Sequence, residues 1–181
     1  MESKTLEAAI QAARLAGRIL VERLSDERDV QVKGLRDIVT DADLAAEEAV
    51  IQTIRAHFPD HALLTEEGGE MAGDASCVWV VDPLDGTTNY SRRFPTFSVS
   101  VGLVSRQRSA HCATLPLAPD GATAGGDADA KTWLNGQLTL GVVYDPLNDR
   151  LFAAQRGRGG SAVPGGHAGP LRCRGCVACD G

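Results

Sequence analysis

The apolar run Cys77-Val78-Trp79-Val80-Val81 breaks off into Asp82-Pro83-Leu84-Asp85-Gly86-Thr87-Thr88, and this junction constrains the chain more than any other segment. Consecutive apolar residues followed by Pro and Gly read as a buried strand closed by a turn. The turn sets two carboxylates three positions apart at the strand exit, then a glycine and two hydroxyls where a helix can begin. Carboxylates that close repel one another unless a cation lies between them. Amides at Gly86 and Thr87, placed at a helix N-terminus, suit an anion such as phosphate. A metal beside a phosphate points to phosphoryl hydrolysis. A plain surface turn is the competing account of the same residues.

A second acidic pair, Glu66-Glu67, follows Leu63-Leu64 and precedes Gly68-Gly69, as if leaving a short strand for a loop. Hard divalent cations such as Mg2+ favour carboxylate, carbonyl and water oxygens. Glu66, Asp82, Asp85 and the Leu84 carbonyl would together supply most of a two-metal site. Taken alone, the two glutamates read better as solvated loop charges.

Hydrophobic spacing organises the rest. Leu6, Ile10, Ala13, Gly17, Leu20 and Leu24 recur every three or four residues, opposite Glu7, Gln11, Arg14 and Arg18, which predicts an amphipathic helix. A second helix is expected from about Asp41 to His57, with Leu44, Ile51, Ile54 and Phe58 on one face and Pro59 as its stop. Strands are expected at Leu63-Leu64, at 78–81, at 97–103 (alternating apolar and small or polar) and at 138–144, with a return strand at 151–155. Strands joined without an intervening helix suggest antiparallel pairing. Trp79, Tyr90 and Phe94 are expected in the core. Arg92 and Arg93 are expected in solvent, or at the rim of an anion site.

Three ordered blocks carry a family resemblance. Glu66-Glu67 followed by Trp79-Val80-Val81-Asp82-Pro83-Leu84-Asp85-Gly86-Thr87-Thr88-Asn89-Tyr90 resembles the first signature of the inositol monophosphatase family. The segment Lys33 to Asp43 is similar to the family upstream, as are Phe94-Pro95 and Ser98-Val99-Ser100-Val101-Gly102 downstream. The resemblance implies an α+β layered sandwich, with helices packed on a largely antiparallel sheet. It also implies Mg2+ (two or three ions) held by Glu66, Asp82, the Leu84 carbonyl and Asp85. Asp85, Gly86 and Thr87 would bind the phosphate. Asp43, Thr87 and Glu66 would serve catalysis, the first two orienting and deprotonating the attacking water. For Asp43 a structural alternative stays open, because Thr40-x-x-Asp43 before an apolar run is close to a helix capping box.

The expected reaction is hydrolysis of a small phosphate monoester, inositol monophosphate foremost, with histidinol phosphate or another small phosphoester as alternatives. The other alternative is an inactive, truncated or mis-spliced member, since the family's C-terminal half has no counterpart here. Residues 1–160 read as the N-terminal part of the domain, interrupted by a disordered insertion at 106–134. From Gly157 on, eight of the last 25 residues are glycine, so 161–181 reads as a disordered Gly- and Cys-rich tail. Cys173, Cys176 and Cys179 have metal-type spacing, but only His167 stands near as a fourth ligand. A formal net charge of −6 without a basic stripe argues against a nucleic-acid partner. No uncharged stretch approaches the ~20 apolar residues of a membrane span. The chain is expected to be soluble and intracellular, most simply cytoplasmic, and to pair as a homodimer if the fold is complete.

Overall fold

The computed structural model describes residues 4–25, 34–105, 136–164 and 169–171. Two helices, α1 (Lys4–Ser25) and α2 (Gly34–His57), lie on one face of an eight-stranded mixed sheet. The strands are β1 (His61–Thr65), β2 (Gly69–Met71), β3 (Asp74–Asp85), β4 (Ser98–Ser105), β5 (Gln137–Asp145), β6 (Arg150–Gln155), β7 (Gly159–Pro164) and β8 (Gly169–Leu171). A five-residue helix, α3 (Thr87–Ser91), sits between β3 and β4. The spatial order is β2-β1-β3-β4-β5-β6-β7-β8. Every pairing is antiparallel except that of β1 with β3, which is parallel. Helices packed on a largely antiparallel sheet are the expected α+β architecture.

The core lies between the helices and the sheet. Leu6, Ala9, Ala13, Ala16 and Leu20 of α1 meet Trp79 and Val81 of β3, Val99, Val101 and Leu103 of β4, and Leu140, Val142 and Tyr144 of β5. Full burial of such side chains stabilises by about 1.5–3 kcal/mol each. Alternation in β4 decides the faces: Val99, Val101 and Leu103 are buried, while Ser98, Ser100 and Gly102 are less so. Trp79 is fully buried and its Nε1 donates to Nδ1 of His61 at 3.0 Å. That ring stacks on Phe58, with centroids 4.8 Å apart. The Tyr90 hydroxyl donates to the Leu20 carbonyl at 2.9 Å, tying α3 to α1. Val80, Leu138, Val143 and Phe152 are exposed; the register puts them on the sheet face away from the helices. Among the described residues no helix is long and apolar enough to cross a membrane.

Several expectations need correction. Helix α2 begins at Gly34 rather than near Asp41, because no glycine or proline between 34 and 57 stops it extending backward. Asp43 therefore lies inside the helix, and the capping-box account of it falls. Leu44 is 47% exposed: the buried stripe runs through Ala42, Ala46, Val50 and Ile54, and a step of two residues turns Leu44 away from it. Phe94 is 59% exposed. It follows Arg93, whose φ of 55° reverses the chain so that the Phe94 amide bonds back to the Asn89 carbonyl. Residues 159–164 pair with β6 and 169–171 pair with β7, so strand pairing runs past 160 into the 161–181 stretch expected to be a disordered tail. Backbone ladders need no apolar side chains, so composition alone missed them. The 106–134 insertion, His167 and the three tail cysteines fall outside the described residues, apart from the flanks just named. Cys77 is disulfide-bonded.

Candidate active site

Four segments bring the acidic residues together. The register of the parallel pair, with Thr65 opposite Val81, makes Glu66 and Asp82 the next residues beyond the last paired positions of β1 and β3. The two carboxyls are close enough for Glu66 to raise the pKa of Asp82. Asp85 ends β3, and its Oδ2 accepts from Ser98 Oγ at 3.3 Å. Asp43 approaches from α2 with only 4% of its surface exposed, and its Oδ1 is buried without a hydrogen-bond partner. Glu66, Asp82, Leu84, Asp85 and the turn from Gly86 to Asn89 line a cavity of ≈ 340 Å³. Asp43 borders this group electrostatically without lining the cavity.

The turn after β3 is built by backbone geometry. Gly86 adopts φ 98°, which favours glycine, and a Cβ there would also crowd the Thr96 carbonyl at 3.1 Å. The Asn89 and Tyr90 amides both bond the Gly86 carbonyl, at 2.8 and 3.0 Å. The first turn leaves the Gly86–Thr88 amides without acceptors inside the helix. With five residues α3 has little macrodipole, so any anion attraction rests on those N–H groups. Thr87 Oγ1 donates to the Leu84 carbonyl at 3.1 Å, and the Leu84 amide donates to Asp82 Oδ1 at 3.1 Å.

Among the described residues the charge here is uncompensated. Burial, then Glu67, Glu66, Asp82 and Glu47, push the Asp43 carboxyl up from 3.8 to about 7. Burial, then the charge and hydrogen bond of Glu66 and the charge of Asp85, raise Asp82 to about 6, against a smaller lowering by the Leu84 amide. Among the described residues, the charged groups acting on these two are carboxylates. Among the described residues no three His, Cys, Asp or Glu side chains are already closed around a single point as a metal shell. The donor set nevertheless fits a hard cation: oxygen atoms only, mutually repelling, one of them buried and unpartnered.

Glu66, Asp82, Leu84, Asp85, Gly86 and Thr87 share the cavity, and Asp43 lies beside it. Sequence reading missed Glu47, which is 4% exposed, and Ser98. Glu47 carried a signal, since it falls one helical turn after Asp43 on a stripe that is otherwise apolar. Its Oε2 accepts from the Glu67 amide at 3.0 Å.

The model of the inositol monophosphatase family matches residues 1–113. The chain belongs to the inositol monophosphatase family. Nus factor SuhB of Pasteurella multocida (strain Pm70) is 38% identical over 157 residues, which are 85% of this chain and 48% of that protein. Among solved structures, the extragenic suppressor protein suhB of Bartonella henselae aligns with TM-score 0.66 at 31% identity, over 95% of this chain and 54% of its own. Inositol monophosphatase from Anabaena (Nostoc) sp. PCC 7120 aligns with TM-score 0.61 at 34% identity, over 87% and 46% respectively. The chain spans about half the length of the curated relatives it matches. As a family member it shares the mixed sheet and helices of these neighbours.

Proposed function

We propose that this chain carries the metal- and phosphate-binding half of a Mg2+-dependent phosphomonoesterase, with inositol monophosphate as its foremost substrate. One observation carries the reading: the carboxylates of Asp43, Glu66 and Asp82 converge, with no basic partner among the described residues, beside a glycine turn whose first amides lack acceptors inside the helix. Glu66, Asp82, Asp85 and the Leu84 carbonyl would hold Mg2+. When bound, the metal supplies a lowered pKa for coordinated water and charge neutralisation on the phosphoryl oxygens. The Gly86 and Thr87 amides hold the phosphate. The Thr87 hydroxyl donates its hydrogen bond to the Leu84 carbonyl, so its lone pairs are free to accept from the attacking water. Asp43, with a carboxyl titrating near neutrality, takes that water's proton. Asp82 and Asp85 serve as ligands, so water attacks phosphorus directly and no phosphorylated side chain forms. The substrate is small and diffusible, the chain works in the cytoplasm, and a second copy is its expected partner.

Phosphate release from inositol monophosphate with Mg2+ tests the reading, with Asp82→Asn as control. Turnover abolished by Asp82→Asn is the expected result; no release by either protein refutes catalysis. A second reading, binding without turnover, is favoured by the similarity to Nus factor SuhB, which is named as a Nus factor rather than a phosphatase. Cation uptake without phosphate release would select it.

A further inference from the structure

Glu47 is buried in α2, yet no step proposed above uses it. A carboxylate taken out of water is costly unless its partners hold it. Its placement indicates what it does. Glu47 Oε2 accepts from the amide of Glu67, the residue directly after Glu66. Its Oε1 occupies the space beneath Gly68, where an added Cβ would come within 2.9 Å. The Gly68 amide is taken by Thr65 Oγ1 at 3.2 Å, and Thr65 is itself buried. The two consecutive amides of the β1–β2 turn, at 67 and 68, are therefore bonded to acceptors buried beneath the turn. With the backbone fixed on that side, Glu66 is held beside Asp82, since Thr65 lies opposite Val81 in the β1–β3 pair.

We infer that Glu47 is a positioning residue: through the Glu67 amide it fixes the turn that presents Glu66 to the cation. The inference rests on the metal-binding reading above and adds a residue from a different element to it. Groups that orient a metal ligand typically change metal affinity about 10–100-fold when removed.

The test is Mn2+ uptake by the 181-residue chain, read as loss of the free-ion paramagnetic resonance signal. Mn2+ takes the same oxygen ligands as Mg2+. Glu47→Ala should weaken uptake by about 10–100-fold. Glu47→Gln keeps an acceptor oxygen for the Glu67 amide and should stay within about threefold of the parent. Gly68→Ala pushes on Glu47 Oε1 from the opposite side; with unchanged circular dichroism it should weaken uptake by about tenfold or more, which keeps the test decisive if Glu47→Ala fails to fold. In a Glu66→Gln background the Glu47→Ala loss should vanish, because the strut then has no ligand to position. Equal losses in both backgrounds, a Glu47→Gln defect as large as that of alanine, or intact uptake by a folded Gly68→Ala would each overturn the inference and leave the metal site standing. A parent that takes up no Mn2+ sinks the metal-binding reading, and the inference with it.

Discussion

Replacing Asp43 by asparagine should stabilise the metal-free chain, increasingly so as pH rises. In the fold the carboxyl titrates near 7 instead of 3.8, chiefly because it is buried and then because Glu67, Glu66, Asp82 and Glu47 surround it. A carboxyl with a raised folded pKa favours folding fully only below its unfolded value, and that contribution is lost as pH rises through the folded value. The full shift, about three units at about 1.4 kcal/mol each, makes ionised Asp43 cost about 4 kcal/mol at pH 8. At pH 5 only the unfolded state has released its proton appreciably, and the cost is about 1.6 kcal/mol. Asparagine does not titrate, and its own burial penalty is the same at both pH values. The stability gap between the Asp43→Asn variant and the parent should therefore widen by about 2–3 kcal/mol from pH 5 to pH 8. Urea unfolding followed by tryptophan fluorescence in EDTA measures it across that range. Curves that stay parallel with pH would refute the claim that Asp43 is buried among like charges. Added Mg2+ should flatten the parent's slope, since the cation replaces the missing counter-charge.

Gly17→Val should destabilise by about 2 kcal/mol or more in the same unfolding assay, because even a Cβ at Gly17 would sit 2.6 Å from the Tyr144 ring and 2.9 Å from Pro146. Gly86→Ala combines a φ of 98° with crowding against Thr96, so it should lower stability by about 1–2 kcal/mol and weaken phosphate binding, checked by unfolding and by inorganic phosphate titration. Tyr90→Phe removes the bond to the Leu20 carbonyl and should cost about 1 kcal/mol, leaving cation uptake unchanged. His61 accepts from Trp79, and burial lowers its pKa below 6.5, so its contribution is intact above 6.5 and lost as pH falls through the lowered value; His61→Gln should remove that acid step from the stability profile.

Much of this was legible because it is local. The strand before Asp82, the turn at Gly86 and the alternation from Val99 to Leu103 each follow from residues within a short window. The spacing of Asp82 and Asp85 and the resemblance around them picked out residues that do share a cavity. What escaped depends on surroundings. Leu44 has an apolar side chain, and only the path of the alanine-rich stripe shows that it faces out. Phe94 was expected inside because it is aromatic, but the left-handed Arg93 turns it away. Glu47 resembles any helical surface glutamate until the β1–β2 turn is seen packed on it. Strands β7 and β8 sit in a glycine-rich stretch whose composition argues for disorder, and only the neighbouring edge of β6 supplies the ladder.

The parallel pairing of β1 with β3, which hairpin logic argued against, is the feature that creates the cavity. Had β3 returned antiparallel beside β1, the residue after Val81 would lie at the far end of a five-residue strand, roughly 15 Å from Glu66 at about 3.3 Å per residue. No carboxylate side chain spans that gap. Instead β2 turns back along the outer edge of β1, and the Asp74 amide bonds the Asp60 carbonyl where the chain comes back to the start of β1. Strand β3 then runs alongside β1 in the same direction, and both acidic exits emerge at one end, about one strand spacing (~4.8 Å) apart. The three-residue strand β2 thus has a consequence far beyond its size. It carries the chain back so that Glu66 and Asp82 meet, and the price is two like charges held together until a cation joins them.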